Sequence, residues 1–213
     1  IFSKTKIIAI LVVNRDIFLR SLMLEIIFVS FLMTSGKFGD VELAATQILL
    51  QFLHISAYGM DGFAFAAEVL VGQAVGKSNR FMLRDAVIKS GLWTFIIAVF
   101  LALIYALFGS VFIKLMTTSD EVILASEAFL IFIVLGPIFG ALPFLMDGIF
   151  VGATRSIDMR NMMFLSLIIY VVSAYVLIDL YGFYGLWVAF LVSYAARGIS
   201  LLTRYPKLEK SIS

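Results

Sequence analysis

The chain has 213 residues, 62% of them hydrophobic and 14% charged, with a mean hydropathy of +1.09. Soluble domains carry nearer 25% charged residues, so this composition excludes a soluble fold and describes an integral membrane protein with room for about six spans. The net charge of +2 decides little by itself. With no cysteine there is no disulfide framework or thiol nucleophile, and one histidine leaves a transition-metal site poorly supplied.

The first apolar run, 7–13, is too short to span and ends at Asn14, Arg15 and Asp16, so 1–16 reads as a cytoplasmic lead-in. A start without Met reads as the second part of something longer. Spans are expected at about 17–36, 41–75, 91–116, 122–153, 161–179 and 185–203, an all-α architecture with a polar cytoplasmic tail at 205–213.

The first span carries Glu25 and ends at the turn GKFGD. The second is over-long and holds Gln47, Gln51, His54, Tyr58, Asp61 and Glu68. A basic loop, 76–89, leads to a third span with Trp93 as its interfacial anchor. After the polar turn TTSDE, the fourth span contains Pro137, Pro143 and Asp147. Pro143 deprives the Phe139 carbonyl of its helical partner, so a bend is expected near Asp147. The loop 153–161, the fifth span, the turn DLYGFYG and a sixth span complete the chain.

The basic residues decide topology. Lys4, Lys6, Arg15 and Arg20, then Lys77, Arg80, Arg84 and Lys89, then Arg155 and Arg160, then Arg197, Arg204, Lys207 and Lys210 fall at alternate connections, whereas the other three turns hold only Lys37 and Lys114. This alternation predicts a multi-pass protein of the inner (plasma) membrane with both termini cytoplasmic.

Of the acids within the spans, Glu25, Asp61, Glu68 and Asp147 lie farthest from the span ends, and an acid in lipid is a functional candidate by default. At about 1.5 Å per residue from the nearest inner-face basic residue, Glu25, Asp147 and Glu68 fall at roughly 8, 12 and 14 Å, while Asp61 lies about 24 Å deep and stands apart. No Lys or Arg is counted at comparable depth, so the acids are expected to take a proton or a bound cation. The candidate coupling set is Asp147, Glu25, Glu68 and Asp61, with sodium possible at Glu25 and Asp147 and no other metal. Gln47, Gln51 and His54 share one face of the second span and, with Tyr58, are weaker candidates for a substrate cavity. Such residues also bridge neighbouring helices. Gly72 with Gly76, Gly136 with Gly140, and Gly148 with Gly152 have the spacing of close helix packing, alongside Pro143. MDG occurs at 60–62 and again at 146–148, a coincidence on three letters.

Phosphate loops, GxSxG, HExxH and a triad are all missing, which argues against an enzyme. The segments NRDIFLRS (14–21), AYGMDGFAFAAEVLVGQAVG (57–76) and FLMDGIFVGATRSIDMRN (144–161) resemble the multidrug and toxic compound extrusion (MATE) antiporters, in their DNA-damage-inducible protein F-like branch. The resemblance runs through nearly the whole chain but reaches only the family's second half. It implies one six-helix lobe of a twelve-helix, two-lobe transporter, partnered by an N-terminal lobe in the same or a separate chain. It also implies export of small organic solutes in exchange for H+ or Na+, with no cofactor and no nucleic acid. By the same resemblance, Glu25 and Asp147 fall where members place cation-site acids, and Asp61 and Glu68 match the branch pattern DGF-A-x-x-E.

Two other readings remain from the sequence. One is an inactive truncated remnant or assembly subunit with no transport alone. The other is a lipid-linked flippase of the same superfamily, which would want a cationic cavity where the buried charges counted here are acidic.

Overall fold

The computed structural model describes residues 4–212, and within them the chain folds as seven helices: α1 (Lys4–Ser35), α2 (Asp40–Gly76), α3 (Arg80–Met116), α4 (Asp120–Ala128), α5 (Leu130–Gly152), α6 (Ser156–Tyr181) and α7 (Phe183–Lys210). Positions 1–3 of the lead-in and 213 of the tail lie outside the described residues. Five helical stretches are long and apolar enough to cross a membrane: Ile10–Ser35 of α1, and α3, α5, α6 and α7. The 37-residue α2, which carries the polar stripe with Asp61 and Glu68, completes a six-helix all-α lobe.

The helices run past their expected spans. Most of the basic segment 76–89 is the first turns of α3, capped where the Asn79 side chain accepts a hydrogen bond from the Met82 amide. The expected tail continues α7 to Lys210, and Leu208 and Ile212 are buried against the inner core. Arg80 donates to the carbonyls of Ile212 and Lys210, and Arg84 pairs with Glu209, so α3 holds the chain's end in place.

The single helix expected over 122–153 is instead two, broken at Phe129 (φ −104°, ψ 4°). No glycine or proline marks that position. The Phe129 ring packs 4.6 Å from Phe183 and 5.3 Å from Tyr184, so the break is set by an aromatic cluster that also takes in Phe132 and Trp187. Both prolines, by contrast, sit within an unbroken α5, and Pro143 is buried where α7 presents Gly198.

α5 is the hub, packed on α2, α3 and α7, while α1 leans chiefly on α6. Burial follows this order: 67% and 56% of the apolar windows of α7 and α5 are buried, against 17% and 11% for α6 and α1. α2 and α5 run parallel in close contact. A Cβ on Gly148 would strike the Ala64 carbonyl, and one on Gly152 would strike that of Glu68. Only a missing side chain allows that approach. Cβ atoms at Gly136 and Gly140 would meet the side chains of Leu53 and Met60 along the same seam, and one at Gly72 would stand 3.4 Å from the Gly152 carbonyl oxygen, an ordinary contact. A Cβ at Gly76 would enter open space. The two MDG segments therefore occupy parallel helices that end alike, each with a residue at positive φ, Ser78 (48°) and Thr154 (55°).

Candidate functional site

A cavity of about 380 Å³ opens where α1, α2, α5 and α7 converge, lined by Arg20, Glu25, Phe28, His54, Asp61, Phe144, Tyr194 and Arg197 among others. Each polar side chain reaches it for a local reason. Arg20 and Glu25 lie on the cavity side of α1, five residues apart. His54 and Asp61 are seven apart on α2, almost two full turns, and so share a face. Arg197 stands between Ala195, Ala196 and Gly198, small neighbours that let α7 pack closely and bury the guanidinium.

The ion pairing of this site differs from the sequence expectation. Asp147 is buried, and its Oδ2 accepts from both Arg20 and Arg197. These arginines had been counted with the inner-face charges, so the expectation that no basic residue lies at the acids' depth is wrong. The Nε atoms of both are buried without a hydrogen-bond partner among the described residues. Arg197 also stands 5.6 Å from the Phe144 ring centroid. No ion pair among the described residues involves Glu25, Asp61 or Glu68.

The structure also regroups the acids. Glu25 and Asp61 line the cavity together, within reach of the cluster that holds Asp147, whereas Glu68 is not among the lining residues. The depth count set Asp61 apart because it assumed that α2 and α5 end at one level. Their contacts pair Ala64 with Gly148 and Glu68 with Gly152, so α2 continues eight residues beyond the last residue of α5, about 12 Å. That offset brings Asp61 level with the Asp147 region.

Of the weaker candidates, His54 lines the cavity with its ring 5.8 Å from Phe28. Gln51 lines a separate, apolar hollow of about 420 Å³ with Phe52, Ile55 and Tyr105. Gln47 is exposed, and Tyr58, at 75%, is more so. Among the described residues no group of three or more His, Asp or Glu side chains is placed to hold a metal ion.

The MatE family model matches residues 17–176, the stretch that supplies α1, α2 and α5 to this cavity. The chain belongs to the MatE family. It is 34% identical over 192 residues to DNA damage-inducible protein F of Escherichia coli K12, covering 90% of this chain and 42% of that protein. The fold is similar to that of the Vibrio cholerae MATE transporter VcmN in its bent form, with a TM-score of 0.81, 19% identity, and 92% of this chain against 45% of that one. A further structure titled as MATE in the bent conformation matches with a TM-score of 0.85 and 18% identity over 100% of this chain and 48% of its own. The chain thus spans about half the length of its MatE relatives. It is a multi-pass membrane protein of a transporter family, built as one lobe of the MATE fold.

Two residues outside the cavity also escaped sequence reasoning. Asp16 is fully buried and pairs with Arg160 at 2.7 Å and Arg15 at 3.0 Å, with the Ser156 hydroxyl 3.5 Å from its other oxygen. This cluster ties the middle of α1 to the first turns of α6. The signal was present in NRD, a carboxylate next to an arginine, but its partner Arg160 lies 144 residues away.

Proposed function

We propose that this chain forms the C-terminal half of a cation-coupled secondary antiporter, driven by protons or sodium, that exports drugs or other organic solutes by alternating access. The observation that carries this is the cavity between α1, α2, α5 and α7, lined by two carboxylates, Glu25 and Asp61, and two guanidiniums, Arg20 and Arg197, both of which pair with the buried Asp147 beside it.

The roles divide by partner. Asp147, gripped by two arginines, is the fixed anion that holds α1, α5 and α7 together. A cation at Asp147 would have to displace a guanidinium, which disfavours a sodium site there. Glu25 and Asp61, free of ion pairs, are the groups that exchange the coupling ion. Loading Asp61 removes a negative charge near Arg20 and so alters the balance that Arg20 strikes between α2 and α5. That gives the ion a differential interaction with two arrangements of the helices, as population shift requires.

The N-terminal lobe that completes the cavity, in the same or a separate chain, is part of this reading, and half the length of the relatives supports it. The test is efflux from proteoliposomes holding this chain with that lobe. The variants Asp61→Asn and Glu25→Gln should abolish ion-driven exchange while substrate still binds. Exchange at the normal rate and pH dependence in the double variant sinks the assignment.

A second reading, a carrier of anionic or lipid-linked head groups, gains from the two arginines that the sequence count missed. With the buried Asp147 counted beside the two lining carboxylates, acids number three against two arginines, which favours an organic cation.

A further inference from the structure

A second hollow, of about 340 Å³, lies on the other side of α1, between it and α6. Its wall from α1 is Leu19, Leu22 and Met23, at spacings of three and four that share one helix face, and its wall from α6 is Arg160, Asn161 and Phe164. Both helices start at the same end of the bundle, so the groove is graded along its length. Arg160 and Asn161 form its polar end near the first turns of α6, and Leu22, Met23 and Phe164 form its apolar end deeper in.

The polar end carries surplus positive charge. The guanidiniums of Arg15 and Arg160 share a single carboxylate oxygen, Asp16 Oδ1, at 3.0 and 2.7 Å. Arg160 also donates to the Asn161 side-chain oxygen at 2.9 Å, leaving the Asn161 amide hydrogens pointing elsewhere. Two cations against one anion leave one charge over, while Arg155 and Asp158 at the adjoining turn offset each other. The Asp16 side chain is fully buried, yet that of Arg15 is 58% exposed and that of Arg160 28%. The surplus therefore faces outward. Around the groove Phe18, Leu22, Ile157 and Phe164 are exposed, an apolar rim that belongs in lipid.

We propose that this groove is a binding site for one anionic phospholipid, its phosphate held by Arg15, Arg160 and the Asn161 amide and the start of an acyl chain lying over Leu19, Leu22 and Phe164. The basic end of the bundle is the end the positive-inside pattern assigns to the cytoplasmic leaflet, where anionic head groups concentrate. The inference rests on the chain lying in a membrane and is independent of what the cavity transports. A lipid wedged here would brace α1, the least buried span, against α6.

Native mass spectrometry of the full chain, released from micelles containing equal phosphatidylglycerol and phosphatidylcholine, tests it. Retention should favour phosphatidylglycerol by about fivefold, the preference one surplus surface charge supplies. Arg15→Gln should bring the two lipids to parity, and Leu22→Trp, a surface change that fills the groove, should reduce retention of both. Lys89→Gln, on α3, should change neither. Equal retention of the two lipids by the unaltered chain, an undiminished preference in Arg15→Gln, or undiminished retention of both lipids in Leu22→Trp overturns the site.

Discussion

Gly148 of α5 meets the main chain of Ala64 of α2 with no side chain between them, and this contact fixes the level of Asp147 relative to Asp61. A methyl group at position 148 has nowhere to go, because its obstacle is backbone, which cannot rotate away as a side chain can. Gly148→Ala and Gly152→Ala should each lower stability by about 1–3 kcal/mol, the usual cost of overpacking. Gly76→Ala, where the space is open, should stay within about 0.5 kcal/mol of the unaltered chain. Thermal unfolding in detergent distinguishes them. Equal melting temperatures for all three variants would remove the close crossing from the account.

Asp147→Asn should be harmful to folding as well as to coupling, because Asp147 pairs with both Arg20 and Arg197. Removing the carboxylate strands two buried guanidiniums, and breaking a buried pair from one side costs about 3–5 kcal/mol. Substituting Met for Arg197 while Arg20 still neutralises Asp147 should cost less. The comparison is the yield of monodisperse protein and its melting temperature, and an Asp147→Asn chain as stable as the parent contradicts the double pairing.

Asp16, one turn from Arg20 on α1, offers a parallel test. Asp16→Asn leaves Arg15 and Arg160 facing each other without their shared anion and loosens α1 from α6, since α1 has few other partners. Limited proteolysis should cut faster at the turn between α5 and α6, near Thr154, whose exposed and left-handed backbone is already a weak point. An unchanged digestion pattern argues against the tie.

Glu127, on the short α4 outside the spans, supplies a pH dependence. The Ser110 hydroxyl, and after it Lys114 at 3.3 Å, hold its carboxyl below the ordinary value of 4.5. A carboxyl depressed in the folded state stabilises the fold above its unfolded value and loses that contribution as pH falls through the lowered one. Glu127→Gln should therefore melt earlier than the parent at neutral pH, and the gap should close as the solution is acidified below about 4.5. A gap independent of pH would mean that the variant acts through packing alone.

Much of the lobe was legible in residue order. Apolar stretches of spanning length, separated by short polar turns, follow from the cost of unsatisfied backbone in lipid, which leaves helices as the solution. Glycines at four-residue spacing marked where helices approach, and in the α2–α5 seam they do. The break at Phe129 was not legible, because ring packing across the bundle, not local propensity, ends the helix there. The candidate site was half legible. Acids inside spans stand out by rarity, but arginines near span ends read as inner-face charge until a partner on another helix is in view.

The sequence by itself determined that this is an all-helical membrane protein, which way its basic loops are biased, and which acids lie farthest from its span ends, since each depends only on the order of apolar and charged residues. Which acids meet, and with what, was decided by tertiary structure alone. The glycine crossing shifts α2 by eight residues against α5 and brings Asp61 beside the Asp147 cluster, and helix packing turns Arg20 and Arg197 inward. The physical reason is that charge pairing acts over a few ångströms between helices, and residue order does not measure that distance.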